Sequence, residues 1–209
     1  MSHWCIPPEW TGETAFLLGG GPSLKGFDAS ILRGRRVIAI NNSWELAPWA
    51  DVLYFCDEKW WRWYGDKVSI GFQGRYIVTP ALHVPDPRAK LIKLTGATGL
   101  ETDPSGLRHG SNSGYQAINL AYHFGAKRIV LLGYDMNING TTHWHAGHPT
   151  TKPEKFADTL VEAMLPKFPT IVEPLRGAGV EVLNATPGSV LTCWPIVPLS
   201  GILNQCISA

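Results

Sequence analysis

Ala15-Phe16-Leu17-Leu18-Gly19-Gly20-Gly21-Pro22-Ser23-Leu24 sets a short apolar run directly against three glycines. A strand ending in glycines presents backbone N–H groups with no Cβ in the way, so the turn can close around a phosphate or a nucleotide edge. Pro22 fixes φ and suits the opening of a helical turn. A glycine turn after a strand is also an ordinary structural device, and this one matches neither common phosphate-loop pattern. Leu24 stands where G-x-G-x-x-G needs its third glycine, and no Gly-Lys-Ser/Thr follows as in a Walker A loop.

Outward from this junction, apolar runs alternate with helical stretches, the pattern of an α/β fold. Strands are predicted over residues 15–18, 37–40, 52–55 and 127–132, with weaker ones over 76–78 and 91–94 and a last one over 180–183. A short helix is predicted over 27–33, with Asp28 near its start and Gly34 after it. A Trp-rich helix is predicted after Cys56-Asp57-Glu58. Tyr115, Ile118, Ala121 and Tyr122 recur at helical spacing, with Asn112 or Ser113 as N-cap and Gly125 as the stop. Further helices are expected over 153–164 and from Thr186-Pro187-Gly188-Ser189. Pro80, Pro85 and Pro87 enforce an irregular excursion, and residues 96–111 read as a mobile loop; the 80–111 stretch is where a lid over an acceptor would lie. No repeat or linker divides the chain, so residues 1–209 are expected to form one nucleotide-binding α/β domain with its core over 15–195.

Composition narrows the function classes. A 209-residue chain is long enough to bury a sizeable core. Its formal net charge of +1, without a basic stripe, does not advertise nucleic-acid or membrane binding. Cys5, Cys56, Cys193 and Cys206 form no C-x-x-C pair, which favours a reducing compartment. Met1-Ser2-His3-Trp4 lacks the charged and apolar regions of a signal peptide, and no apolar run approaches the roughly 20 residues of a membrane span. The expectation is a cytoplasmic protein without a membrane span. Nine tryptophans suit core filling, with an acceptor groove or a self-association surface as the alternative.

The polar residues fall in a pattern. Gly19–Ser23, Asn41-Asn42-Ser43, Asp57-Glu58 and Gly133-Tyr134-Asp135 each follow a predicted strand. In an open parallel sheet the carboxyl ends of the strands share one edge, and ligands bind in the crevice there. Ser113 and Gly114 would join them at a helix N-terminus that favours an anion. Two asparagines after a buried strand need hydrogen-bond partners and suit a nucleobase or ribose.

His143-Trp144-His145-Ala146-Gly147-His148 is the remaining cluster. Its H-x-H-x-x-H spacing approaches the metallo-β-lactamase pattern, but Gly147 replaces the ligating aspartate and the motif comes late in the chain. Three imidazoles can hold zinc; the other readings are a solvated loop and a general acid/base or phosphate-contacting group.

Taken in order, these motifs resemble the bacterial sialyltransferases of glycosyltransferase family 42. The residues that carry the resemblance are G-x-G-P-S-L after the first strand, V-x-x-x-N after the second, S-G before a helix, G-A-K-R-I-x-L-x-G-x-D after it, Gly147-His148, and Thr186–Leu191. The same order occurs in flagellin-glycosylation factors and archaeal-type hydroxymethyl-dihydropterin pyrophosphokinases. The resemblance implies a single Rossmann-like α/β domain, a mostly parallel sheet with helices on both faces. It implies a cytidine nucleotide sugar as donor, transfer with inversion, and no metal for the chemistry. Gly19, Gly20, Gly21, Pro22 and Ser23 would form the nucleotide loop. Asn41, with Asn42 beside it, would contact phosphate or ribose, Ser113 and Gly114 the donor, and Asp135 would anchor the floor. His148 matches the catalytic base. Gly20 stands where the sialyltransferases carry an asparagine, and Asn137 and His143 stand near positions of tyrosines that stabilise the departing phosphate. His143 or His145 would donate to the phosphate in their place. Asp57 approximates a position usually filled by asparagine.

Two other functions fit the same residues. A pterin-kinase-type pyrophosphoryl or nucleotidyl transferase would need magnesium, with Asp57 and Asp135 as its carboxylates. A non-catalytic nucleotide-binding protein would keep the glycine loop and asparagines alone. The acceptor is not encoded in any motif, and relatives often self-associate.

Overall fold

The computed structural model describes residues 2–137, 143–145 and 158–205. Its strands are β1 (Thr14–Leu18), β2 (Arg36–Ile40), β3 (Val52–Tyr54), β4 (Tyr76–Thr79), β5 (Ala89–Leu91), β6 (Lys93–Leu94), β7 (Gly106–Leu107), β8 (Arg128–Leu132) and β9 (Glu181–Asn184). Its α-helices are α1 (Glu58–Gly71), α2 (Ser113–His123), α3 (Pro169–Gly177) and α4 (Leu199–Gln205). Seven strands form one sheet in the order β5-β4-β3-β2-β1-β8-β9, every pairing parallel. This is the α/β, Rossmann-like architecture the motif order implies.

The apolar run of β1 explains its central place. Ala15 and Leu17 point into one apolar layer, while Phe16 and Leu18 point into the other. A strand buried on both faces cannot alternate with polar residues. The first layer receives Tyr115, Ile118 and Phe124 from around α2, and Ile171 and Leu175 from α3. The second receives Trp60, Trp61 and Val68 from α1, and Ile202 from α4. Core filling thus accounts for Trp10, Trp44, Trp60, Trp61 and Trp194, all buried.

The chain steps outward from β1 to β5 and then returns to place β8 against the other side of β1. The direction of winding reverses between β1 and β8, so a crevice opens at their carboxyl ends. The glycine run follows β1 and Gly133–Asp135 follows β8, which puts both at that opening.

Several elements differ from expectation. The helix expected over 27–33 is one 3₁₀ turn, Ala29–Leu32, capped by Asp28, whose carboxylate accepts the Ser30 N–H at 2.9 Å. The strand expected over 91–94 splits because buried Ile92 donates its N–H to Thr79, freeing β6 to pair with β7 in a separate parallel ladder. The supposed mobile loop is therefore partly strand, and Asn119 of α2 stitches it down through Glu101 and Arg108. Of the 80–111 excursion, only Ser111 borders the cavity described below.

Helix α3 was not expected from the sequence; it contains Pro169 and Pro174, with Pro166 just before it. Pro169 sits in the first turn, where a missing N–H costs nothing, while Pro174 is tolerated inside the helix. Residues 153–157 of the helix expected over 153–164 lie outside the described residues; Asp158 and Thr159 are helical, and Leu160–Met164 form a wide π turn. Thr186–Ser189 form a turn, not a helix, with Gly188 at φ 69°. Their hydroxyls bond the Tyr134 backbone instead: Thr186 Oγ1 accepts its N–H at 3.0 Å, and Ser189 Oγ donates to its carbonyl at 2.6 Å. No helix among the described residues is long and apolar enough to cross a membrane.

Candidate functional site

A cavity of about 340 Å³ occupies the switch point between β1 and β8. Gly19, Gly20, Gly21 and Pro22 form one wall, and Asn41 and Asn42 continue it from the end of β2. Asp57 enters from the start of α1, Ser113 and Gly114 from the start of α2, and Asp135 from beyond β8. His143 and His145 border the same space. Ser23 does not, and His148 lies outside the described residues.

The glycine loop owes its shape to Asp135. One carboxylate oxygen accepts the Ser23 N–H at 2.9 Å and the other accepts the Ser23 hydroxyl at 2.7 Å. The Gly21 N–H donates to the Gly133 carbonyl at 2.9 Å, so the turns after β1 and β8 are welded together. Ser43 Oγ donates to the Gly19 carbonyl from the third side. These bonds leave the Gly20 N–H without a partner among the described residues, on the cavity wall.

The start of α2 is organised the same way. Asn112 caps the helix, its side-chain oxygen accepting the N–H groups of Gly114 at 2.7 Å and Tyr115 at 3.2 Å. The Ser113 N–H is the next donor of that first turn and has no partner among the described residues. Ser113 Oγ donates to Cys56 Sγ at 3.3 Å. Burial pushes the Cys56 thiol above its ordinary value, a shift the Ser113 bond opposes, so it stays a neutral thiol at neutral pH and not a nucleophile.

The two asparagines divide their roles. Asn42 is buried, and its side-chain oxygen accepts the Trp60 indole N–H at 2.7 Å. Asn41 keeps its side-chain amide free of partners among the described residues and holds a left-handed backbone, φ 50°. Ser111 (φ 56°) and Met136 (φ 51°) are the other non-glycine residues of this kind among those described, and all three border the cavity. Such conformations cost about 1–3 kcal/mol each and collect where a ligand must be met.

Sequence reasoning missed part of the lining. Cys56, Trp63, Met136, Leu160 and Met164 add apolar surface to the lining. Trp63 lies in the Trp-rich helix and had no individual signal; Met136 and Ser111 are marked only by backbone angles. Of the two carboxylates a magnesium site would use, Asp135 binds Ser23 through both oxygens and Asp57 caps α1 by accepting the Lys59 N–H at 2.9 Å. No cluster of three or more histidine, cysteine or acidic side chains suited to a metal occurs among the described residues.

The arrangement offers a concave site with backbone donors on two walls, a free carboxamide, two imidazoles and an apolar side. It can hold an anion beside a flat or apolar group. No protein-family model matches the chain, and no curated protein matches it. Among solved structures, the sialyltransferase CstII from Campylobacter jejuni, in complex with a substrate analogue, cytidine-5′-monophosphate, superposes with a TM-score of 0.57 at 16% identity. The match covers 90% of this chain and 86% of that one. A tyrosine-to-phenylalanine variant of the sialyltransferase Cst-II in complex with CMP gives a TM-score of 0.53, also at 16% identity, over 89% and 86% of the two chains. In fold, this chain resembles the sialyltransferases of glycosyltransferase family 42.

Proposed function

We propose that this protein is a glycosyltransferase whose donor is a sugar activated by a cytidine nucleotide. The observation that carries the reading is the convergence, at one switch-point cavity, of the Gly20 and Ser113 N–H groups and the Asn41 amide. Backbone donors suit the phosphate, the Asn41 amide suits ribose or phosphate, and the apolar side suits a base or sugar face. The fold shared with CMP-bound sialyltransferases supports a cytidine nucleotide over other bases.

In the reaction, an acceptor hydroxyl attacks the anomeric carbon of the donor sugar. The bond from that carbon to the phosphate oxygen breaks, the configuration inverts, and the nucleoside monophosphate departs with the bonding pair. His148 takes the hydroxyl proton in this reading, an assignment that rests on the Gly147-His148 resemblance. In this reading His143 and His145, which border the cavity, donate to the leaving phosphate. The acceptor is a hydroxyl compound of unassigned class, and the chemistry requires no metal.

Thermal-shift measurements with CMP, CDP, UDP, GDP and ATP, each with and without Mg²⁺, test the donor. Stabilisation by CMP without metal is expected. A response to ATP with Mg²⁺ alone would replace this reading by the pyrophosphokinase one. His148→Ala should lose turnover at least about a hundredfold while keeping nucleotide affinity, the scale of a lost general base; full activity in that variant removes the assignment.

A further inference from the structure

Tyr134, the residue between Gly133 and Asp135, is buried and borders the cavity. The Thr186 and Ser189 hydroxyls hold its backbone from both sides, and Asn184 Nδ2 holds Ser189 Oγ in turn at 2.9 Å. Phe168, fully buried, meets the phenol ring edge-on, with centroids 6.5 Å apart at 79°. The core therefore fixes where this ring stands before any ligand arrives.

From there the ring touches two walls of the cavity at once. A Cβ on Gly19 would stand 3.1 Å from Tyr134 Cδ2, and a Cβ on Gly114 would stand 2.8 Å from Cε1. Cδ2 and Cε1 are diagonally opposite corners of the six-membered ring, so the glycine loop and the start of α2 meet across its full width. The hydroxyl fastens one side by donating to the Gly114 carbonyl at 3.1 Å. Burial raises the phenol pKa well above its ordinary value, so the group keeps its proton and stays a donor.

Each contacted glycine adjoins a free donor. Gly20 follows Gly19, Ser113 precedes Gly114, and the N–H groups of both lack partners among the described residues. The spacing between those donors is therefore set by one aromatic ring and not by flexible side chains. Backbone donors on clamped segments cannot follow a longer anion, and a hydrogen bond weakens steeply once its geometry is lost.

We propose that Tyr134 is a positioning residue that gauges the anion: its ring holds Gly20 and Ser113 at the spacing that suits one phosphate and disfavours two. This rests on the nucleotide reading above. A side chain without a ring leaves the two walls free to shift, and the match to a single phosphate is lost.

Isothermal titration calorimetry of the whole protein with CMP, CDP and cytidine tests the gauge. Wild-type protein should bind CMP about tenfold or more tighter than CDP, the worth of one hydrogen bond to a charged group. Tyr134→Phe keeps the ring and should keep that preference; losing it overturns the role of the ring. Tyr134→Leu, which removes the ring, should bind CMP and CDP alike, with cytidine affinity unchanged. A structural defect alone would weaken all three compounds by one common factor and leave the preference intact, and that result overturns the gauge. Tyr134→Met carries the same expectation if the leucine variant does not fold, because its flexible chain refills the core gap. Wild-type protein that binds CMP, but no tighter than CDP, also overturns the gauge and leaves the nucleotide reading standing. If none of the three compounds binds, both the gauge and the nucleotide reading fall.

Discussion

Gly21 has no room for a side chain: a Cβ there would stand 1.9 Å from Asp135 Oδ2 and 2.7 Å from the Gly133 carbonyl. Gly21→Ala should therefore break the Ser23–Asp135 pairing, cost about 1–3 kcal/mol as overpacking does, and abolish CMP stabilisation in a thermal-shift assay. Gly20→Ala meets only the edge of an imidazole, so it should stay folded and affect ligand binding more than melting temperature. Cys56 and Cys5 form a second comparison. Cys5 is exposed, whereas the Cys56 thiol is held above its ordinary value by burial, so iodoacetamide at neutral pH should label Cys5 well before Cys56. Mass spectrometry of the time course checks the order; equal rates would contradict the burial described for Cys56.

Helix α2 is the element that joins the site to its support. Its first turn borders the cavity, and two turns further on fully buried Asn119 acts as a strand substitute for the preceding loop. Its oxygen accepts the N–H groups of Glu101 and Arg108, and its nitrogen donates to the Glu101 carbonyl at 3.0 Å. Asn119→Ala strands those groups and should cost about 2–3 kcal/mol, read from urea unfolding. One turn on, His123 lies 3.0 Å from the Gly106 carbonyl. Burial lowers its pKa in the folded chain, against smaller opposing effects from the Gly106 bond, Glu101 and Asp103. The folded state then binds fewer protons than the unfolded one. The stability due to the neutral ring is complete above the unfolded value of about 6.5 and is lost as pH falls below it. His123→Gln should flatten that acid limb of the stability profile; an unchanged limb would assign it to other groups.

Across the whole molecule, legibility follows the physical source of each signal. Strands buried on both faces announce themselves as unbroken apolar runs, and α2 announces itself through Asn112, its periodicity and Gly125. Because strand ends share one edge, the same reading located Gly19–Pro22, Asn41, Ser113 and Asp135 at one cavity. Context decided the remainder. Pro169 starts a helix because tertiary packing of Ile171 and Leu175 outweighs the prolines nearby, and Thr186–Ser189 turn because their hydroxyls are drawn to the Tyr134 backbone. Asn42 borders the cavity, and its side-chain oxygen also serves Trp60, a bond the sequence does not announce.

The Ser23–Asp135 pair carries a consequence in time. Its partners are 112 residues apart in the chain, and the pair forms only when β8 docks beside β1. Closing so long a loop is slow relative to local structure. The glycine loop can take its final shape only at that late event, however early β1 and β2 associate. Recovery of ligand binding during refolding should track the slowest phase seen by tryptophan fluorescence and never precede it. Stopped-flow measurement with CMP present checks the coincidence, and a binding-competent burst phase would show that the loop forms without its distant clasp. A nascent chain that has not yet emerged through residue 135 would, on the same grounds, carry the apolar strand and its glycines but no site.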